Sequence, residues 1–98
     1  MTRLDVEILP DAEVEIREAF QWYFERSPIA ADAFRTEALE AIDHLGTDAQ
    51  LWAEDTDGIR RYILRLFPYT AFYEIQGNAV TVLAIAHRRR RPGYWRER

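Results

Sequence analysis

Between Arg60 and His87 three apolar segments follow one another with connections too short to hold a helix. They run from Arg60 to Phe67, from Tyr69 to Ile75 and from Val80 to His87, the last two joined by Gln76-Gly77-Asn78. Strands joined this tightly pair antiparallel, so the stretch predicts a meander. Val80 to His87 is almost wholly apolar, which suits a central strand covered on both faces for much of its length. Pro68 falls at a strand boundary, where its missing N–H costs little.

The residues before this meander predict what covers it. Leu4, Val6 and Ile8 alternate with Asp5 and Glu7, as in a short strand with one buried face, and Pro10 ends it. Asp11 is placed to cap a helix, and Glu13 and Glu15 suit the positive end of its dipole. Ala12, Ile16, Ala19, Phe20, Tyr23 and Phe24 recur at three- and four-residue spacing, giving a helix over 11–26 with Trp22 beside the stripe. Ser27-Pro28 is a helix start, with serine at the N-cap and proline at the first position. Phe34, Ala38, Ala41, Ile42 and Leu45 form the second apolar stripe, and Gly46 stands where a helix would close. The two helices predict an antiparallel hairpin. Residues 47–58 read as a loop with Leu51 and Trp52 as anchors, solvated acids at Asp48, Glu54, Asp55 and Asp57, and a turn at Asp57-Gly58. The expected fold is one domain over residues 1–98, of α+β class: an N-terminal strand and a two-helix antiparallel hairpin packed on a mainly antiparallel four-stranded sheet.

Charge divides the chain where the fold does. Residues 1–58 carry fifteen acids and four arginines, a net of −11; residues 59–98 carry nine arginines and two acids, a net of +7. Such a split points to a basic face for an anionic partner, either a phosphate backbone or an acidic protein segment, unless the two halves neutralise each other within the fold. Every basic side chain is arginine and none is lysine. Arginine offers a planar fork for phosphate or carboxylate but stays protonated, so it cannot act as a base. Without cysteine there are no disulfides and no thiolate metal sites. The first residues carry charges where a leader would be apolar, and the longest uncharged run, Ile75 to Ala86, is too short to span a bilayer. A soluble, cytoplasmic protein with no membrane partner is expected.

Several motifs then fall in a recognisable order: Gly58-x-Arg60-Arg61, Arg65-x-Phe67-Pro68-Tyr69, Tyr73, the strand Val82 to His87, and Arg91-Pro92-Gly93-Tyr94-Trp95. Over almost the whole chain this resembles the RelE/ParE superfamily of toxins from type II toxin–antitoxin modules, including its ParE-like "plasmid stabilisation" members. The resemblance implies one of two modes. RelE-like members cleave mRNA on the ribosome; ParE-like members poison DNA gyrase and need no nuclease site.

An RNase of this kind must activate a ribose 2′-OH, hold the scissile phosphate and protonate a leaving oxygen. The resemblance places Arg61 and Arg65 at cationic positions and Arg88 and Tyr94 at the C-terminal pair. It also puts Ile63 where a lysine stands in RelE-like enzymes, and Thr70 where the phosphate-binding arginine stands. No histidine lies at the extreme C-terminus, where YoeB-like members use one. His87 is the substitute base, its ordinary pKa being suited to proton transfer near neutrality. Equally, His87 can hydrogen-bond locally and help turn the chain, with the adjacent arginines favouring its neutral form. His44 reads as a partly exposed residue near a helix C-terminus.

As a surface for an antitoxin or a target, the candidate residues are Arg60, Arg61, Arg65, Arg88, Arg89, Arg90, Arg91, Tyr94 and Trp95. Alternation along the strand lets only part of the arginine run serve one face, and Tyr94 and Trp95 either stack on a partner or pack back on the sheet. The first expectation is a ParE-like toxin that binds a protein such as gyrase, needs no cofactor or metal, and forms a hetero-oligomer with a cognate antitoxin. The alternative is an mRNA interferase with an atypical site built on His87, Arg88, Tyr94, Arg61 and Arg65. A third is a nucleic-acid-binding or structural module that has lost toxicity.

Overall fold

The computed structural model describes residues 3–98. In chain order the elements are β1 (Asp5–Ile8), α1 (Pro10–Phe24), α2 (Pro28–Asp48), β2 (Arg60–Ile63), β3 (Tyr69–Gln76) and β4 (Ala79–His87), with 3-10 turns at Ala49–Leu51 and Tyr94–Glu97. The sheet order is β1-β4-β3-β2. β4 is central, antiparallel to β3 and parallel to β1. The fold is therefore α+β, with an N-terminal strand, a helical hairpin and a mainly antiparallel four-stranded sheet, as the sequence predicts.

The hairpin covers one face of the sheet. Ala12 of α1 and Leu45 of α2 pack on Ala71, Tyr73, Val80, Val82 and Ile85. Tyr73 is fully buried, and its hydroxyl donates to the Ala49 carbonyl at 2.6 Å, so the phenol is satisfied inside the core. A second cluster forms where the hairpin meets the β2–β3 turn. Phe34 is fully buried, with the rings of Tyr23, Phe67 and Tyr69 between 5.1 and 5.5 Å away. Burying a side chain of this size is worth about 2–3 kcal/mol, so the Phe67-Pro68-Tyr69 motif ties the sheet to both helices. The tail covers the opposite face, with Trp95 against Ile59, Ala84 and Phe72.

Several boundaries differ from expectation, each for a local reason. α1 begins at Pro10, not 11, and ends at Phe24, not 26; its N-cap is Leu9, so Asp11 lies within the first turn and does not cap. Ser27 does cap α2, accepting from the Ala30 N–H at 3.2 Å. Gly46 does not close α2, which runs to Asp48. Its φ is not positive, and its carbonyl accepts from the Leu4 N–H at 2.7 Å where β1 enters the sheet. β2 stops at Ile63 instead of reaching Phe67, because the Glu37 carboxylate takes the Arg65 and Leu66 N–H groups at 2.6 and 3.0 Å and folds the chain into a turn. Leu51 is no anchor, being 74% exposed; Ala49 is buried in its place, and Trp52 packs edge-on against Tyr62. The loop acids are not merely solvated. Asp55 accepts from the Asp57 and Ile59 N–H groups at 2.8 and 2.9 Å, and Asp55 and Asp57 both pair with Arg96.

Candidate functional site

The position of the site depends on one irregularity in β4. Phe72 pairs with Ala84, but the next residue, Tyr73, pairs with Val82, so Leu83 has no partner across the ladder. An extra residue in one strand reverses which face the following side chains take. Val80 and Val82 point to the helices, and beyond the bulge Ile85 does so as well. His87 follows Ile85 to that side, its ring edge-on to Tyr69 at 5.1 Å. Ala84 and Ala86 take the other face, and Arg88 lies beyond them.

His87 is held locally. Its Nδ1 accepts from the Arg89 N–H at 3.1 Å. A backbone N–H can only donate, so Nδ1 carries no proton and the neutral ring holds its proton on Nε2. Partial burial lowers the His87 pKa, and the Arg89 and Arg88 charges lower it further. The free nitrogen is thus a donor, while the basic lone pair is already in use.

Tyr94 is held from the other side of the sheet edge. Its hydroxyl donates to Glu15 Oε2 of α1. Burial raises its pKa, and the bond to Glu15 and the Glu15 charge raise it further. The Arg90 guanidinium lies 3.9 Å over its ring. Glu15 is one of the residues that sequence reasoning assigned only to the helix dipole. Its carboxylate also takes the Ile85 N–H at 3.0 Å and pairs with Arg98 at 2.9 Å. The available signal was its spacing, three after Ala12 and four before Ala19, which puts an acid on the margin of the buried stripe.

The arginines separate into two groups. Arg60 is structural: it donates to the Gln50 and Trp52 carbonyls and lies 3.9 Å from Glu54. Arg91 pairs with Glu97 at 2.7 Å. Arg61, Arg65, Arg88 and Arg89 have no acid within ion-pair distance among the described residues. Arg61, His87, Arg88 and Tyr94 line one cleft of about 250 Å³, together with Arg90 and Arg91. Arg65 lines a neighbouring cleft of about 340 Å³, and Arg88 and Thr70 border both. Trp95 is 8% exposed and packs on Phe72 at 5.3 Å between centroids, so it builds the floor and offers no face for stacking on a partner. Among the described residues no group of three histidine, aspartate or glutamate side chains is gathered to hold a metal ion. No helix among them is long and apolar enough to cross a membrane.

Comparison with known proteins places the fold. A solved structure of the chromosomal ParDE TA system from P. aeruginosa is similar in fold, with a TM-score of 0.77 at 18% identity, covering 87% of this chain and 96% of that one. Curated protein sequences give no match. The family described as ParE toxin of type II toxin-antitoxin system, parDE, matches residues 6–92. That match spans most of the sequence, and the chain belongs to the ParE toxin family.

Proposed function

We propose that this chain, taken as one toxin domain over residues 1–98, inhibits growth by binding a protein target, with DNA gyrase as the candidate, and that a cognate antitoxin neutralises it in a cytoplasmic hetero-oligomer. The observation that carries the binding mode is the His87 Nδ1 bond to the Arg89 N–H. Cleaving RNA through a 2′-OH needs a base with a free lone pair. His87 has no such lone pair, Tyr94 directs its proton to Glu15, and every other basic side chain of the cleft is an arginine. What the arginine cleft retains is charge. Guanidinium groups without internal acids attract carboxylates as well as phosphates, and an acidic antitoxin segment laid over Arg61, Arg65 and Arg88 would pair with them.

The alternative, a ribosome-dependent mRNA interferase, draws on a separate observation: Arg61, His87, Arg88 and Tyr94 do share a cleft. Expression of wild-type and His87→Ala chains, with and without the candidate antitoxin, separates the two. Binding predicts equal growth arrest by both proteins, relieved by the antitoxin, with intact mRNA. Codon-specific mRNA cuts that vanish on His87→Ala sink the binding mode.

A further inference from the structure

The outer edge of β4 is only half used. β1 pairs with it as far as Ile8↔Val82, and Leu9 adds one bond to the Val82 carbonyl before Pro10 opens α1. Among the described residues no strand lies beside β4 on that edge beyond this point. A parallel neighbour uses the C=O of one residue and the N–H two residues later. The first such slot is Leu83 C=O with Ile85 N–H, and two side chains fill it. Arg98 donates to the carbonyl at 2.9 Å, Glu15 accepts from the N–H at 3.0 Å, and the two pair with each other at 2.9 Å. They occupy the places of backbone groups on a missing strand.

The next slot is empty. Arg88 N–H donates to the Pro68 carbonyl, which makes Tyr69 and His87 a non-hydrogen-bonded pair of the β3–β4 ladder. The His87 N–H and the Ile85 C=O therefore point outward, and no protein group bonds them among the described residues. They open onto a groove of about 550 Å³ lined by Trp22, Tyr23, Pro68 and Tyr69, with Glu18 from α1 and Arg90 from the tail at its rim. Trp22 is 52% exposed. Glu18 has no ion pair among the described residues, whereas Arg90 already rests on Tyr94.

We propose that this edge and groove form a strand-addition site for an extended peptide of a partner protein, which continues the line of β1, sets one apolar residue against Trp22 and Tyr69, and places a basic residue beside Glu18. Backbone pairing supplies register and the aromatic groove supplies the anchor. The groove meets the Arg61–Arg88 cleft at His87, Arg90 and Tyr94, but its anchor residues Glu18, Trp22 and Tyr69 lie outside that cleft.

The test is an NMR titration of the full chain with blocked heptapeptides of alternating valine and threonine. Their central residue is leucine or tryptophan, and lysine or glutamate stands two positions before it. Lysine peptides should shift the Ile85 and His87 amides and the Trp22 indole. Trp22→Ala, or N-methylation of the peptide amides that face β4, should weaken binding about tenfold or more. Glu18→Gln should remove the preference for lysine over glutamate. The proposal is overturned if no peptide binds at millimolar concentration, if the N-methylated peptide binds equally, if glutamate is preferred, or if the shifts are confined to the Arg61–Arg88 cleft.

Discussion

The Arg89 N–H and the His87 Nδ1 lie 3.1 Å apart, and this single bond decides what the histidine can do. It keeps Nδ1 unprotonated and turns the chain out of β4. Protonating the ring would break it, in a setting where burial and the Arg89 and Arg88 charges already disfavour the imidazolium.

His87 should therefore titrate below the usual imidazole value of 6.5. The sign of the stability effect follows. Below 6.5 the unfolded chain binds a proton that the folded chain resists, so the contribution of this residue is complete above 6.5 and is lost as the pH falls from 6.5 toward the lower folded value. Ring-proton NMR against pH gives the midpoint, and denaturant titrations across pH 5–7 should show a slope that His87→Phe removes. A midpoint above 6.5 contradicts the assigned bond.

Glu15 joins α1, β4 and the tail through Ile85, Tyr94 and Arg98. Glu15→Ala should cost about 3 kcal/mol or more, since three hydrogen bonds end on its carboxylate and each bond to a charged group is worth about 1.5–3 kcal/mol. Glu13→Ala, two residues away on the exposed side, should cost about 0.5 kcal/mol at most. Denaturant midpoints measure both. The Tyr94 phenol, which titrates above the usual 10.0, should move down in Glu15→Ala but stay raised, because burial is the larger cause.

Trp95 covers the sheet face that the helices leave open, against Ile59, Ala84 and Phe72. Trp95→Ala should destabilise by about 3–5 kcal/mol and Trp95→Phe by distinctly less. Thermal unfolding followed by circular dichroism distinguishes these from a loose tail, for which both variants would match wild type.

Gly46 is a helical glycine, and a Cβ added there would meet the Arg3 guanidinium at 2.5 Å. That group is the far end of a flexible, half-exposed side chain paired with Asp43. Exchanging glycine for alanine inside a helix gains about 1 kcal/mol, and a displaced surface ion pair costs at most about 1 kcal/mol. Gly46→Ala should leave stability unchanged or slightly higher. A loss above about 1 kcal/mol would mean that Arg3 cannot move.

The fold was legible where periodicity is local. Ser27-Pro28 marked the start of α2, and the short connections around Pro68 and Gly77 fixed the meander. What stayed hidden was set by residues far apart in the chain. Glu37 ends β2 from α2, and nothing near Arg65 announces it. An apolar run such as Val82-Leu83-Ala84-Ile85 hides a bulge, because Val82, Ala84 and Ile85 are buried and Leu83 half-buried although they take different faces. That bulge directs His87 toward Tyr69, so the candidate site could be listed by residue type but not oriented. Arg60 shows the same limit: it reads as part of a basic face, yet its guanidinium is spent on the carbonyls of residues 50 and 52.

The central claim is that this ParE-family chain acts by holding a protein and not by proton transfer at His87. The most direct measurement is a supercoiling assay with purified DNA gyrase, run with the wild-type chain and with His87→Ala. The account predicts inhibition by both at the same concentration, with His87→Ala retaining full potency. Supercoiling left untouched by wild-type chain that still arrests growth would contradict it.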